Sequence, residues 1–533
     1  MSRAWQRGRS RSFVVAVAAA SVLSCTESQK AVSGKGADTP LTRAVRDVRS
    51  MYVGPLVRPS GNVLTHHENP TRDGLYVDPA FTRAAASKLV RDTSFSAQIA
   101  GPTYAQPLYF AQSPGAHDLL VTATERNEVT AFDATDGHVV WRRILGRPAP
   151  RSKLPCGNID PLGVTGTPVI DPATRTVFLD AMTIDTGSPR HLLFALSLDD
   201  GAVRSGWPVD VGAKLRTAAG SFDPVVQNQR GALLLQGGTL YVPYGGHLGD
   251  CGDFRGWVVG VRIDNPREPF AWTTRAGGGG VWAPSGVASD GASLFVATGN
   301  TVGATHWSDG EAIIRLQANL AFSHDPADYF APADWAQLDA RDADLGGTGP
   351  VTFTVPGANP SELVMALGKD GFAYLLDRHD LGGIGHSLAS KAVASEEIIG
   401  AAAAYTTAKG TYVVFKGAGQ GCPNGTSGQL TALRISAGSP PDVSIAWCSG
   451  PGGMGSPIVT TTDGSANAVV WFVTAERDNQ LRGFDGDTGE EVFGGGSSNE
   501  QMKTVRRYQS PIVAKGRLFV AGDDALYAFT VGR

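Results

Sequence analysis

The sequence predicts an all-β fold, an eight-bladed β-propeller of four-stranded antiparallel blades. Three observations predict it. A unit of alternating apolar strand, polar turn, second strand ending in Asp, tight Asp/Gly turn and third strand recurs, most clearly at 119–143, 363–385 and 470–494. A further strand precedes the units, opened by a residue–proline pair: Gln106-Pro107, Thr167-Pro168, Asp223-Pro224, Ala283-Pro284, Gly349-Pro350, Ser456-Pro457 and Ser510-Pro511. Proline at a strand's first position removes no interior ladder bond. The composition agrees, with 67 Gly and 32 Pro among 533 residues and only 18% charged residues, too many turn formers and too few charges for long solvated helices.

The N-terminus reads as an address. Arg3, Arg7, Arg9 and Arg11 precede an apolar run over 13–23 that is too short to span a bilayer, so residues 1–25 are expected to be a signal peptide. Val22-Leu23-Ser24-Cys25 resembles a bacterial lipobox, which implies lipidation of Cys25, and Thr26 after it suggests outer-membrane sorting to the periplasmic side. Residues 26–60 are polar and aperiodic, as a tether would be, and the propeller is expected over 61–533. His66 and His67 lie in the segment leading into it; two histidines without placed partners make no metal site.

Strand counting places blades at about 119–142, 177–209, 240–274, 294–323, 363–385, 411–450 and 469–494. Residues 399–405 supply the one opening strand that lacks a proline. The eighth blade has only 517–531 before the chain ends, so its outer strand is expected from 94–99, which closes the ring. The Asp133–Gly137 and Asp485–Gly489 turns join third to fourth strands and have a sufficient structural reason, since Asp and Gly make tight turns.

The loops between second and third strands, and the crossovers between blades, share the opposite face and are chemically richer. They carry Glu125, Arg126, His247, Asp250, Asp253, Asn300, Lys369, Asp370, Glu476, Arg477 and Asp478. Four cysteines beyond Cys25 map to this face. An even count in an exported chain makes disulfides the expected state, and proximity favours Cys422–Cys448 and Cys156–Cys251. With no CxxCH there is no attached haem. A net charge of −4 with no basic face argues against nucleic-acid binding. No hydrolase elbow, phosphate-binding loop or zinc-protease motif occurs.

The repeat, in its A-x-D-A-x-D/T-G-x-x-x-W form, resembles the pyrroloquinoline quinone (PQQ) repeat of quinoprotein alcohol dehydrogenases and their non-catalytic relatives, over about 90–533. That resemblance implies a site. Gly279-Gly280-Val281-Trp282 is similar to the segment whose Trp forms the quinone floor, and Ala297-Thr298-Gly299-Asn300 to the one whose Asn binds calcium. Asp342 and Asp344 fall where the family has its catalytic Asp, and Lys369 where a Lys or Arg reaches the quinone. Asp250 and Asp253 stand where a calcium-binding Glu is expected. The chain departs from the pattern at Cys156, a single cysteine where the family has an adjacent pair above the quinone, and at Pro161-Leu162-Gly163, which replaces a carboxylate-binding V-N-R-G arginine. Two functions are therefore expected to compete. One is a monomeric, lipid-anchored binding or scaffolding propeller that holds a protein or glycan on the loop face. The alternative is a PQQ- and Ca2+-dependent dehydrogenase of an alcohol or sugar.

Overall fold

The computed structural model describes residues 61–113 and 115–531; the expected signal peptide, Cys25 and the tether lie outside the described residues. Eight antiparallel sheets follow one another at 108–144, 169–210, 234–273, 288–331, 351–392, 403–449, 458–493 and 512–531, forming a β-propeller. In the first blade, Leu108–Phe110, Leu119–Ala123, Glu128–Asp133 and Val139–Ile144 pair in chain order, which defines strands A to D. The eighth blade has only Ile512–Ala514, Arg517–Ala521 and Ala525–Val531 of its own, and the last of these pairs with Leu89–Arg91 and Ala97–Gln98.

Blades bury both faces of their middle strands, so a strand such as Leu119–Ala123 has no exposed residue. Each apolar cluster spans two neighbours: Val121 and Trp141 of blade one pack with Ile170, Val177 and Leu196 of blade two. The repeat's tryptophans stitch these seams. The Trp141 indole donates to the Leu198 carbonyl at 2.7 Å, and that of Trp447 to the Gly486 carbonyl at 3.0 Å. Gly489 has φ +75°, and a Cβ there would lie 2.7 Å from the Trp447 ring. The Asp-x-x-x-Gly turn is thus fixed by the neighbouring blade as well as by its own geometry.

Residues 61–78, polar enough to read as a linker, run through the middle of the ring. Val63 pairs with Tyr109 of blade one, and the Leu64 carbonyl accepts from the Ile170 amide of blade two. The Pro70, Thr71 and Asp73 carbonyls accept from Ser289, Thr352 and Ala404 of blades four, five and six. Leu75–Val77 lies parallel against Ile458–Thr461 of blade seven, and Asp78 accepts from the Gly516 amide of blade eight. Arg72 completes the circuit, donating to the Leu233 and Val287 carbonyls of blades three and four, to Thr65 Oγ1 and to the His66 carbonyl, all at 2.7–3.0 Å. The segment therefore fills the axis and ties all eight blades together.

His66 and His67 stack at 4.3 Å inside this plug, and His67 Nε2 lies 2.9 Å from Ser510 Oγ. Burial, with the Arg72 charge beside it, lowers His67 to about 3; burial, His67 and Arg72 lower His66 well below its ordinary value. A depressed folded pKa means that the unfolded chain binds more protons between about 3 and the ordinary histidine value near 6.5. Stability therefore falls as pH drops below 6.5. In urea titrations between pH 7 and 4, the slope attributable to the pair approaches about 1.4 kcal/mol per pH unit per histidine. A His66→Gln/His67→Gln chain would show a shallower pH dependence; an unchanged slope would count against buried, neutral histidines.

Two local expectations are corrected. Strand A of blade three is Leu234–Gln236, because Asp223-Pro224 falls in an inserted stretch containing the short hairpin Arg216–Thr217/Gly220–Ser221. Strand D of blade five is Ala389–Ala392, while Gly383–Ile384 pairs in parallel with Tyr329–Ala331 of blade four.

Candidate functional site on the loop face

Loops from the first five blades meet beside the axial plug. The crossover into blade four carries Trp282, and the loop closing strand B of that blade carries Asn300. Between them, the A-T-G-N backbone has a steric reason. A Cβ on Gly299 would lie 2.5 Å from Asp344 Oδ1 and 3.0 Å from Trp282 Nε1, so only glycine lets the carboxylate and the indole edge close over the turn. Asp344, 3% exposed, then accepts the Asn300 backbone N–H at 2.7 Å.

Lys369, from the tight turn of blade five, joins this group from the other side. Its Nζ lies 2.5 Å from Asp344 Oδ2 and 3.2 Å from Asp342 Oδ1, and 5.3 Å from the centre of the Trp282 ring. The two aspartates differ in setting: Asp344 is buried, while the Asp342 side chain is 63% exposed. Burial acts to lower the Lys369 pKa, but the two aspartates outweigh it and raise it, so the ammonium is retained. The Arg230 guanidinium lies 5.6 Å from the same ring centre. A half-buried indole with two cations over it is the central geometric fact of this face.

Carboxylates surround the cations. Asp250 is raised to about 6 by burial and then by the charges of Asp344 and Asp342, opposed by Lys369 and Arg230. Glu311 is fully buried, accepts the Leu345 amide at 2.6 Å and is pushed well above the ordinary carboxyl range by burial and by the Asp344 charge. Glu125, also buried, accepts from the Gly163 amide and the Thr165 hydroxyl at 2.7 Å each; burial raises it to about 7, with Arg230 and Arg506 opposing. Cys156 and Cys251 form a disulfide that ties the first crossover to the Asp250 loop, and Cys422 and Cys448 form a second within blade six.

The structure thus brings together Trp282, Asn300, Asp342, Asp344, Lys369 and Asp250, with Cys156 bonded to the residue after Asp250. Asp253 is not among the charges acting most strongly on Asp250; it is exposed and lies against the Gly277 backbone. Sequence reading missed Arg230 and Glu311. Arg230 had a signal, the Asn228-Gln229-Arg230-Gly231 string, whose Arg-Gly pair sits one blade beyond the missing V-N-R-G. Glu311, at the head of a strand, had none.

No protein-family model matches the chain, and no curated protein does. Solved structures do. The quinohemoprotein alcohol dehydrogenase ADHIIG from Pseudomonas putida HK5 superposes with a TM-score of 0.62 at 13% identity, covering 89% of this chain and 80% of that one. The fold is that of the quinoprotein alcohol dehydrogenases. The quinohemoprotein alcohol dehydrogenase from Comamonas testosteroni gives a TM-score of 0.56 at 15% identity over 89% of this chain and 81% of that one. A europium-containing methanol dehydrogenase gives 0.56 at 14% identity, over 87% and 90%. At such identities the likeness is one of fold, and the chemistry must come from the residues.

Set against a quinoprotein-type cofactor, the residues divide. The flat indole of Trp282 with Lys369 and Arg230 suits a planar, multiply anionic ring. Asp344, the expected base beside the Asn300, Asp250 and Asp253 calcium set, is not free to add a ligand to that set. Asp344 is already bonded to an ammonium and a backbone amide, and among the described residues no three His, Cys, Asp or Glu side chains are gathered as metal ligands. The Lys369 ammonium already occupies oxygens of Asp344 and Asp342 that a hard cation would need.

Proposed function

We propose that this chain is an exported binding propeller whose loop face holds a flat polycarboxylate of the PQQ class. The observation that carries the reading is the placement of Lys369 and Arg230 at 5.3 and 5.6 Å from the Trp282 ring centre. In this reading Trp282 supplies the stacking surface. Arg230 meets a carboxylate, Lys369, held by Asp344 and Asp342, adds its charge beside the ring, and the Cys156–Cys251 disulfide fixes the loop that carries Asp250. A quinone so bound would supply a two-electron acceptor. The reading also takes residues 1–25 as a secretion signal, with Cys25 as lipid attachment site and 26–60 as tether, which puts the propeller in the periplasm. Consistent with this, among the described residues no helix is long and apolar enough to cross a membrane.

A second reading, dehydrogenation of an alcohol or sugar, is favoured by the exposed carboxylate of Asp342 beside Lys369, which could accept a proton. One titration separates the two. The chain from residue 26 onward is titrated with PQQ, with and without calcium, and followed by tryptophan fluorescence and quinone absorbance. It is then assayed for dye reduction with a panel of alcohols and aldoses. Binding at micromolar PQQ, independent of calcium, weakened by Trp282→Ala and Arg230→Gln, and without turnover, is the expected result. Calcium-dependent turnover would establish the dehydrogenase, and absence of binding would reject both readings.

A further inference from the structure

A cavity of about 490 Å³ opens between blades four and five, sharing only the Lys369 side chain with the site above. One wall is aromatic. Phe330 and Tyr374 lie 5.2 Å apart, and Phe372 and Tyr374 lie 6.0 Å apart with ring planes within 22°. Phe372 and Tyr374 are alternate residues of the strand Phe372–Asp377, so they point to the same side of its sheet. Phe372 keeps 37% of its surface open.

Polar groups complete the lining. Asp370 is held rigid, its Oδ2 accepting the Tyr374 hydroxyl at 2.6 Å and its Oδ1 the Phe372 amide at 3.0 Å. Asp334 precedes the seven-residue helix Trp335–Arg341 without capping it. Arg341 spends only its Nε, on the Gln337 carbonyl at 3.2 Å, and makes no ion pair among the described residues. Burial, with the Asp334 charge adding, raises the carboxyl of Asp370, a tension that hydroxyl donors would relieve.

We propose that this cavity binds a mono- or disaccharide, one sugar ring lying against Phe372 with its hydroxyls on Asp334, Asp370 and Arg341. A sugar presents an apolar C–H face together with hydroxyls that both donate and accept. It therefore needs an aromatic surface, carboxylates to receive protons and a guanidinium to give them. An organic cation would use the rings and carboxylates but would be repelled by Arg341 and Lys369. The cavity volume lies in the range of small-molecule sites. The proposal does not rest on the quinone-class reading, since the two sites share only Lys369.

Isothermal titration of the full propeller with D-glucose, D-galactose and maltose, and with choline as the competing chemistry, tests it. At least one sugar is expected to bind saturably. Phe372→Ala should weaken it by about tenfold, the scale of one aromatic contact, Asp334→Asn should weaken it as well, and Trp282→Ala should leave it unchanged. Both tested side chains are solvent-exposed, so the variants keep the fold. No sugar binding, choline binding alone, or sugar binding indifferent to Phe372→Ala would each overturn the proposal.

Discussion

Replacing Arg72 with methionine lowers the stability of the propeller by about 3–5 kcal/mol, measured by chemical denaturation at pH 7. The effect is large because the guanidinium is wholly buried and its bonds reach two blades and its own segment. Methionine keeps much of the volume but leaves the Leu233 and Val287 carbonyls and Thr65 Oγ1 without their donor. Burial lowers Arg72 to about 9, so the guanidinium still carries its charge at pH 7 while its hydrogen-bond acceptors are neutral carbonyl and hydroxyl oxygens. Lysine at this position would keep the charge but cannot reach two blades in one plane, and is expected to recover only part of the loss. A change below about 1 kcal/mol would mean that the axial segment is not the tie between blades described above.

Lys369→Met costs about 3–5 kcal/mol for a different reason. It strips the ammonium from Asp344, a carboxylate 3% exposed that then keeps only the Asn300 amide as hydrogen-bond donor among the described residues. The buried charge, rather than the lost contact, is the cost. Asp344→Asn in the Lys369→Met background should therefore recover most of the stability, and the double-mutant cycle should show strong coupling. Additive effects would contradict the ion pair.

Much of this fold is legible in the sequence because the propeller repeats its local rules. Strand alternation, the Asp/Gly turn and the tryptophan that packs against the next blade's turn recur, and each is a short-range signal. The disulfides followed from loop assignment, since Cys156 and Cys251 sit on loops of the same face. Where the reading failed, the missing information was long-range. Asp223-Pro224 mimics a strand start, but the inserted hairpin before blade three moves the true strand to Leu234–Gln236. Gly383–Ile384 was assigned to blade five because it follows that blade's third strand, yet it pairs in parallel with blade four, and parallel pairing leaves no local mark. The axial segment was hidden by its polarity: His66, His67 and Arg72 look solvated until eight sets of strand ends surround them. At the site, glycine at 299 and lysine at 369 were visible as motif positions. That the lysine closes onto Asp344, and that Arg230 reaches the same indole, depends on loops far apart in the chain.

The central claim is that the Lys369 ammonium is locked onto the buried Asp344 carboxylate beside the Trp282 indole and Asn300. A crystal structure of the propeller grown with millimolar calcium tests it most directly. The account predicts Lys369 Nζ within about 3 Å of the Asp344 carboxylate and solvent alone beside Asn300. An ion coordinated by Asn300 and Asp344, with Lys369 turned away, would contradict it.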